Sequence, residues 1–490
     1  MPAKIMSIQH EPTSELDETK IPLTRVLGVT TAILLVAGSM IGAGIFEKIV
    51  PMAASGLSET WILSAWIAAG IVSLLGAFSV AGLAKLTTQS GGTYEYVRLC
   101  FGDLAGFLLG WTSFAVLSSG AIAAVAFIFS ESVNALIPIP NPLEQWKNIS
   151  IGNFIFPFAD SGIKIIAVAS IVAITWMNYR GIKKGALLNN VITIIKAFGI
   201  ILLIFAGLLF TNSSTGDTTI AHISVSGFSN FSLFFAAMLG AFYAYDGFAN
   251  VAAVSGEIKN PKRNVPIAAI TGVSIVMILY VLINYAFIHS LSLHGLAALP
   301  GNKVAAIAMA EKIMGHTGII IIALLIVLST FGGNAASILL MSRLYFRMAQ
   351  EKAFFKNAAK VHPVYRTPYI ALLYSMVWSC VMVFTGTFEI LSNMVAFAGF
   401  AFYVLLAFGL IKMKRKKVIK EKVPGYPLVT ILFILFVSAV LVSTTIDNPG
   451  KILAGIILVL SGIPFYYFFK RKKGEGSSVA EEINKENIIE

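Results

Sequence analysis

Three stretches of this chain place groups able to do chemistry inside otherwise apolar sequence. Gly38-Ser39-Met40-Ile41-Gly42-Ala43-Gly44 and Tyr243-Ala244-Tyr245-Asp246-Gly247-Phe248 interrupt two hydrophobic runs with glycine, and Lys196 stands alone in a third. Glycines clustered in such a run predict an interrupted helix, and interrupted backbone at membrane depth must face a cavity. A break leaves N–H groups unpaired where the second half starts, which with the helix dipole suits an anion. It leaves carbonyls unpaired where the first half ends, which suits a cation. Two such breaks face to face would read one carboxylate and one ammonium. An α-amino acid carries both on one carbon.

Each feature also has a plainer reading. Gly38 and Gly42 form a GxxxG pair that a packing face would use, although three glycines in seven residues, with Ser39 among them, exceed what packing needs. Asp246 followed by Gly247 can cap a helix start, and capping is compatible with substrate contact. Lys196 can snorkel toward water, but it lies about nine residues from Leu187, about 13 Å at roughly 1.5 Å per residue. A lysine at that depth costs on the order of 3 kcal/mol or more, so an interior role is favoured. An ammonium held out of water can act as a proton carrier or as a fixed substitute for a bound sodium ion.

The elements that hold these groups follow from composition. Of 490 residues, 57% are hydrophobic and only 12% charged, with a mean hydropathy of +0.83. Such a chain is an all-α integral membrane protein rather than one soluble core. Windows of about 20 residues give about twelve transmembrane helices, the first near 28–50 and the last near 452–469. The glycine breaks fall in the first and sixth. These open two consecutive five-helix units, the 5+5 inverted repeat with discontinuous helices 1 and 6 in which transporters bind solutes, and two extra C-terminal helices remain. The organisation expected is a polar cytoplasmic tail (1–24), a first repeat (25–210), a second repeat (211–413), helices 11 and 12 (414–472) and a disordered cytoplasmic tail (473–490).

The net charge of +12 raises the question of nucleic acid, and the position of the basic residues answers it. Lys85, Arg98, Arg180, Lys183, Lys184, Lys259, Lys262, Arg263, Arg343, Arg347 and the 412–417 cluster all fall on one side of the predicted topology. The opposite loops hold scattered lysines such as Lys147, Lys303 and Lys451. This is the positive-inside pattern, which puts both termini in the cytoplasm and makes the charge topological. The first 25 residues are polar and partly acidic, and the first apolar run is too long for a cleaved signal, so it is kept as helix 1. Two cysteines, Cys100 and Cys380, no CxxC and six scattered histidines predict no disulfide frame, no metal site and no cofactor. An enzyme is disfavoured: there is no HExxH, no GxSxG, and no second intramembrane acid is expected near Asp246.

At these residues the chain resembles the amino acid/polyamine/organocation (APC) permeases, and within them bacterial relatives of the L-type amino acid transporters. Gly38 to Phe46 is similar to the helix 1 signature. Gly91-Gly92-Thr93-Tyr94, with Phe101-Gly102 and Gly110-Trp111, resembles the start of helix 3, and Ser329-Thr330-Phe331-Gly332 with Ser342-Arg343 resembles helix 8. Ala244 to Phe248, followed by Gly256 to Pro266, is similar to the L-type helix 6 signature. The resemblance implies that a substrate carboxylate meets the N–H groups of Gly42, Ala43 and Gly44, and that its ammonium meets carbonyls at Met40, Ile41, Tyr243 and Asp246. Tyr245 and Gly247 belong to the same implied site. Tyr243 would be the aromatic gate, unless it is an ordinary packed aromatic. Lys196 would take the place of a sodium site, bridging helix 1 near Gly42 to helix 8 near Ser329. Tyr243 and Phe248 stand where the branch often has Phe and Trp.

The function expected is a secondary active amino acid transporter of the inner (cytoplasmic) membrane. Neutral substrates are favoured because no charged group besides Asp246 and Lys196 is expected deep in the spans. Transport would be sodium-independent, by exchange or proton-coupled symport. A polyamine or cationic amino acid permease and a transporter-fold amino acid or amine sensor are the alternatives. The partners expected are a small-molecule amino acid and the lipid bilayer, with no nucleic acid and with room for a homo-oligomer. Animal members of the branch join a heavy subunit through a cysteine after helix 3; 129–163 contains none, so no disulfide-linked heavy subunit is expected.

Overall fold

The computed structural model describes residues 25–470 apart from 26, 43, 88–91, 152–155, 181–184, 211–226, 301–303, 366 and 448. Ala43, Gly91 and the two expected tails lie outside the described residues. What is described is almost wholly helical, because backbone N–H and C=O groups in lipid must find partners within their own segment. The first broken span consists of α1 (Val29–Met40), α2 (Gly44–Glu47) and α3 (Ile49–Ala54), bent by 44° across the break. After it come α4 (Glu59–Leu83), α5 (Gly92–Phe101), α6 (Asp103–Thr112), α7 (Ser118–Leu136), α8 (Ser161–Tyr179) and α9 (Gly185–Leu209). The sixth span is α10 (Gly227–Tyr245), continued past its break by a 3-10 segment (Asn250–Glu257). The chain then forms α11 (Pro261–Leu291), α12 (Leu293–Ala297), α13 (Ala305–Gln350), α14 (Tyr369–Thr385), α15 (Phe388–Arg415), α16 (Leu428–Asp447) and α17 (Pro449–Leu460).

Among the described residues nine helices are long and apolar enough to cross a membrane, or ten with the broken pair. The shorter apolar helices Tyr369–Thr385 and Gly455–Lys470 would both have to cross for the expected count of about twelve. The Gly91-to-Tyr94 motif proves separate from the third span: α5 is its own helix, and Gly102 at φ 95° turns the chain into α6. That span contains a π turn at Ser113–Leu117, and the Ser119 hydroxyl donates to the Phe114 carbonyl across it (2.8 Å). Gly315, at φ 60° and ψ −143°, separates residues 305–314 from the rest of α13.

The two broken spans run antiparallel and side by side. Where the first begins, Leu27 pairs with Ile258 at the end of the second, and the Lys259 N–H donates to the Leu27 carbonyl (2.9 Å). Farther along, Ser39 meets Gly247, and Gly44 meets Ala244 and Tyr243. α2 with α3, and α10, form the distal halves, farther from the Leu27–Ile258 bridge. Around this pair α1 packs on α9 and α11, α10 on α4, α15 and α16, and α7 on α13. The outer faces of α9 and α16 expose Phe198, Phe205, Leu209, Leu435 and Ile446, the apolar coat that a bilayer covers.

Outside the spans, α5 is tied to the end of α13. The Tyr94 hydroxyl donates to Glu351 Oε2 (3.1 Å), and Arg347 pairs with the same carboxylate (3.0 Å). Burial first, and then the Glu351 charge, push the Tyr94 hydroxyl above its ordinary value. Arg98 grips Glu95 with two donors, Nη2 at 2.8 Å and Nε at 3.1 Å, and this hydrogen bonding holds its guanidinium above the ordinary value.

Candidate functional site

The first break begins where α1 ends at Met40, with Ile41 at φ −70° and ψ 85°. Two carbonyls freed there already have donors. Met40 accepts from the Tyr280 hydroxyl of α11 (2.7 Å), which also lies 3.2 Å from the Ala244 carbonyl at the second break. Ile41 accepts from Lys196 Nζ (3.1 Å). With the Tyr243 carbonyl, which accepts from the Asp246 N–H (3.3 Å), three of the four carbonyls expected to hold a substrate ammonium are engaged by the protein, although a carbonyl has a second lone pair. Of the three glycines, Gly38 and Gly44 are packing positions. A Cβ on Gly38 would lie 2.2 Å from Thr193 Oγ1, and one on Gly44 would lie 3.0 Å from Ala244 Cα. Gly42 differs, since the nearest heavy atom to its Cβ position is the Met40 carbonyl oxygen at 3.8 Å. Gly42 thus has room for a methyl group at ordinary contact distance.

The second break is shaped by Gly247, whose φ of 117° excludes ordinary side chains. Its Cβ position lies 2.9 Å from the Ser39 carbonyl oxygen, and its carbonyl accepts from the Ser39 hydroxyl (3.0 Å). Asp246 does not cap the following 3-10 segment, whose cap residue is Ala249 with no side-chain bond. Instead Asp246 Oδ1 accepts from the Tyr403 hydroxyl of α15 (2.6 Å). Its remaining acceptor capacity, with the Tyr243 and Asp246 carbonyls, is what this break offers a cation.

Tyr243 is buried against the edge of the Phe388 ring, 5.6 Å between centroids, and touches the Gly44 position. Tyr245 points elsewhere. Its ring sits 5.1 Å from Tyr280 and 6.0 Å from Trp66, and its hydroxyl is buried without a partner. It contributes backbone, not side chain, to the break. Lys196 is 3% exposed; besides Ile41, its Nζ meets α13 at Gly333, where a Cβ would stand 3.4 Å away. Ser329, one helical turn from the Gly333 contact, is buried with its Oγ unpartnered. The bridge from the first break to α13 therefore ends at Gly333.

Sequence reasoning missed a second charged group of residues, and this overturns the expectation that only Asp246 and Lys196 lie deep. Glu47 and Lys48, one turn past Gly44, are 8% and 2% exposed. Lys48 Nζ donates to Asn393 Oδ1 of α15 (3.0 Å) and lies 5.6 Å and 5.1 Å from the ring centres of Tyr243 and Phe388, a cation–π arrangement. Glu47, buried three residues past Gly44, is thus a second acid beside the breaks. The signal was present in the sequence: both residues fall inside the first apolar run. Lys48, Glu389 and Asn393 line one end of an otherwise mostly apolar cavity of about 1380 Å³ between α3, α10, α14 and α15, which does not include the breaks. Among the described residues no set of three or more His, Cys, Asp or Glu side chains could hold a metal ion.

The family described as Amino acid permease matches residues 27–463, from the Leu27 bridge through both breaks. The serine/threonine exchanger SteT of Bacillus subtilis is 30% identical over 457 residues, covering 92% of this chain and 98% of that protein. The large neutral amino acids transporter small subunit 2 of Homo sapiens is 28% identical, covering 91% of this chain and 81% of that protein. The b(0,+)-type amino acid transporter 1 of Mus musculus is 26% identical, covering 91% and 88%. With two facing breaks and a match that runs through them, the chain belongs to the amino acid permease family of the APC superfamily.

Proposed function

We propose that the protein carries α-amino acids across the cytoplasmic membrane by alternating access, with the substrate backbone held between the two breaks. The observation that carries this reading is their apposition: Ser39 bonds Gly247, Gly44 meets Ala244, and Gly42 has room for a methyl group between them. The carboxylate is read by N–H groups at Gly42, Ala43 and Gly44; the ammonium is read by the Tyr243 and Asp246 carbonyls and the Asp246 carboxylate. Met40 and Ile41 serve chiefly to seat Tyr280 and Lys196.

The two five-helix repeats, 25–210 and 211–413, would meet at this site, with both termini in the cytoplasm. Lys196 on the Ile41 carbonyl supports transport without sodium, its ammonium supplying a fixed positive charge beside the break. Exchange is favoured over symport, in keeping with the named activity of the bacterial relative, and neutral substrates with it. The carrier would work without a disulfide-linked heavy subunit, because 129–163 contains no cysteine. Purified protein in liposomes loaded with unlabelled amino acids should take up at least one of a panel of radiolabelled amino acids. No uptake in either exchange or gradient-driven mode would sink the proposal.

A further inference from the structure

The transport reading gives Lys48 no part. Its ammonium is buried, and among the described residues it makes no ion pair: one N–H goes to the neutral Asn393 Oδ1 (3.0 Å), and the rings of Tyr243 and Phe388 face it. An ammonium has three donors, so two remain, and the Asn393 NH2 adds donors of its own. These groups stand at one end of the cavity of about 1380 Å³, which Glu47, the chain neighbour of Lys48, does not line. Glu389 does line it, one turn of α15 before Asn393, and is exposed. The rest of the wall is mostly apolar: Leu233 of α10, Val381 of α14, Phe397, Phe402 and Leu405 of α15, and Ile456 of α17. Val381 and Ile456 are exposed, so the cavity opens on the apolar coat that meets the bilayer. Drug-sized ligands occupy about 300–1,000 Å³; this cavity suits something larger. Apolar walls beside a bilayer fill with hydrocarbon, because leaving them to water is costly. One cation and one anion at the same end, with hydrocarbon along the rest, is the outline of a zwitterionic lipid.

We propose that this cavity binds a bilayer phospholipid whose headgroup carries a phosphate and a primary ammonium, with at least one acyl chain laid against α10, α14, α15 and α17. The phosphate bonds Lys48 Nζ and the Asn393 NH2, and the ammonium bonds the Glu389 carboxylate. A primary ammonium can donate to that carboxylate, whereas a choline head cannot and a glycerol head brings no cation to it. Lys48 belongs to the first broken span and Asn393 to α15, so the phosphate ties the two together beside the Tyr243–Phe388 contact. The site lies outside the substrate's contacts and does not depend on which amino acid is carried, or on transport at all.

The test uses the full chain, purified in detergent and stripped of lipid. Its melting temperature is followed as phosphatidylethanolamine, phosphatidylglycerol or phosphatidylcholine with identical acyl chains is added back. Phosphatidylethanolamine should raise the melting temperature saturably and half-saturate at about threefold lower lipid than either of the others, the gain expected of an exposed charge pair. Glu389→Gln should bring the three lipids together. Lys48→Gln should weaken all three by about tenfold, since each carries the phosphate. Ala401→Trp fills the cavity from α15 and should abolish saturable binding of every lipid. Equal half-saturation by the three lipids in the wild type is solvation by bulk lipid and overturns the proposal, as does a preference for phosphatidylethanolamine that survives Glu389→Gln. A melting shift produced by free amino acids with large apolar side chains and lost in Glu389→Gln, with no shift from the lipids, also overturns it and makes the cavity a second amino acid site. If Lys48→Gln does not fold, the exposed Glu389 position and Ala401→Trp decide: a lipid response unchanged in both overturns the site. The outcome stands apart from transport, since every reading is made without it.

Discussion

Adding one methyl group to each break should separate structure from function. Gly247→Ala places a side chain where φ is 117° and where its Cβ would lie 2.9 Å from the Ser39 carbonyl oxygen. The backbone conformation costs about 1–3 kcal/mol. Crowding against another main-chain atom adds about 1–3 kcal/mol, because that atom cannot swing aside as a flexible side chain can. The sum, about 2–6 kcal/mol, is at least thirtyfold in any equilibrium that needs the breaks apposed. Gly42→Ala meets nothing nearer than 3.8 Å, so its stability should stay within about 0.5 kcal/mol of wild type, while its methyl occupies space assigned to the substrate. Melting temperature and exchange would be measured for both. The expected pattern is a marked loss of melting temperature for Gly247→Ala, and for Gly42→Ala a normal melting temperature with exchange reduced about tenfold or more, mostly in KM. A Gly247→Ala protein as stable as wild type would refute the packing argument. Normal KM in Gly42→Ala would refute the placing of substrate at the first break.

Lys196→Ala removes the 3.1 Å hydrogen bond to the Ile41 carbonyl and should lower exchange by about tenfold or more while the protein still inserts and folds; unchanged flux, measured with labelled substrate, removes the role assigned to Lys196. Tyr403→Phe removes the 2.6 Å bond to Asp246 and should weaken substrate binding by about five- to tenfold, read from ligand-induced thermal shifts. Replacing sodium by choline on both faces of the liposomes should leave exchange unchanged, and a strict sodium requirement would contradict the part given to Lys196.

The breaks and Lys196 were legible because each violates a strong rule: glycine weakens helices, and an isolated charge in an apolar run is costly. Glu47 and Lys48 break the same rule, yet two adjacent opposite charges leave net charge and window hydropathy nearly unmoved. Their burial depends on Asn393 and Phe388, more than three hundred residues away. Tyr280 and Tyr403 were invisible for another reason. A tyrosine in a membrane helix reads as an aromatic until the fold shows which carbonyl or carboxylate its hydroxyl reaches. Expecting Ser329 rather than Gly333 beside Lys196 is a slip of one turn, since positions four apart share a helix face and the resemblance favoured the hydroxyl. Gly38 shows the converse, a motif residue that packs on Thr193, whereas Gly42 has room for a methyl group.

The Leu27–Ile258 bridge has a mechanical meaning. It stitches the start of one broken span to the end of the other through main-chain atoms, so the two cannot slide lengthwise past each other without rupturing it. Displacement has to be taken up as swing about the stitched end, smallest at Leu27 and growing with distance along the pair. Swing is already larger than at the bridge where Lys48 meets Asn393 and Tyr243 meets Phe388. A fraction of a turn at the glycines becomes, just beyond them, the difference between a sealed and a parted aromatic contact.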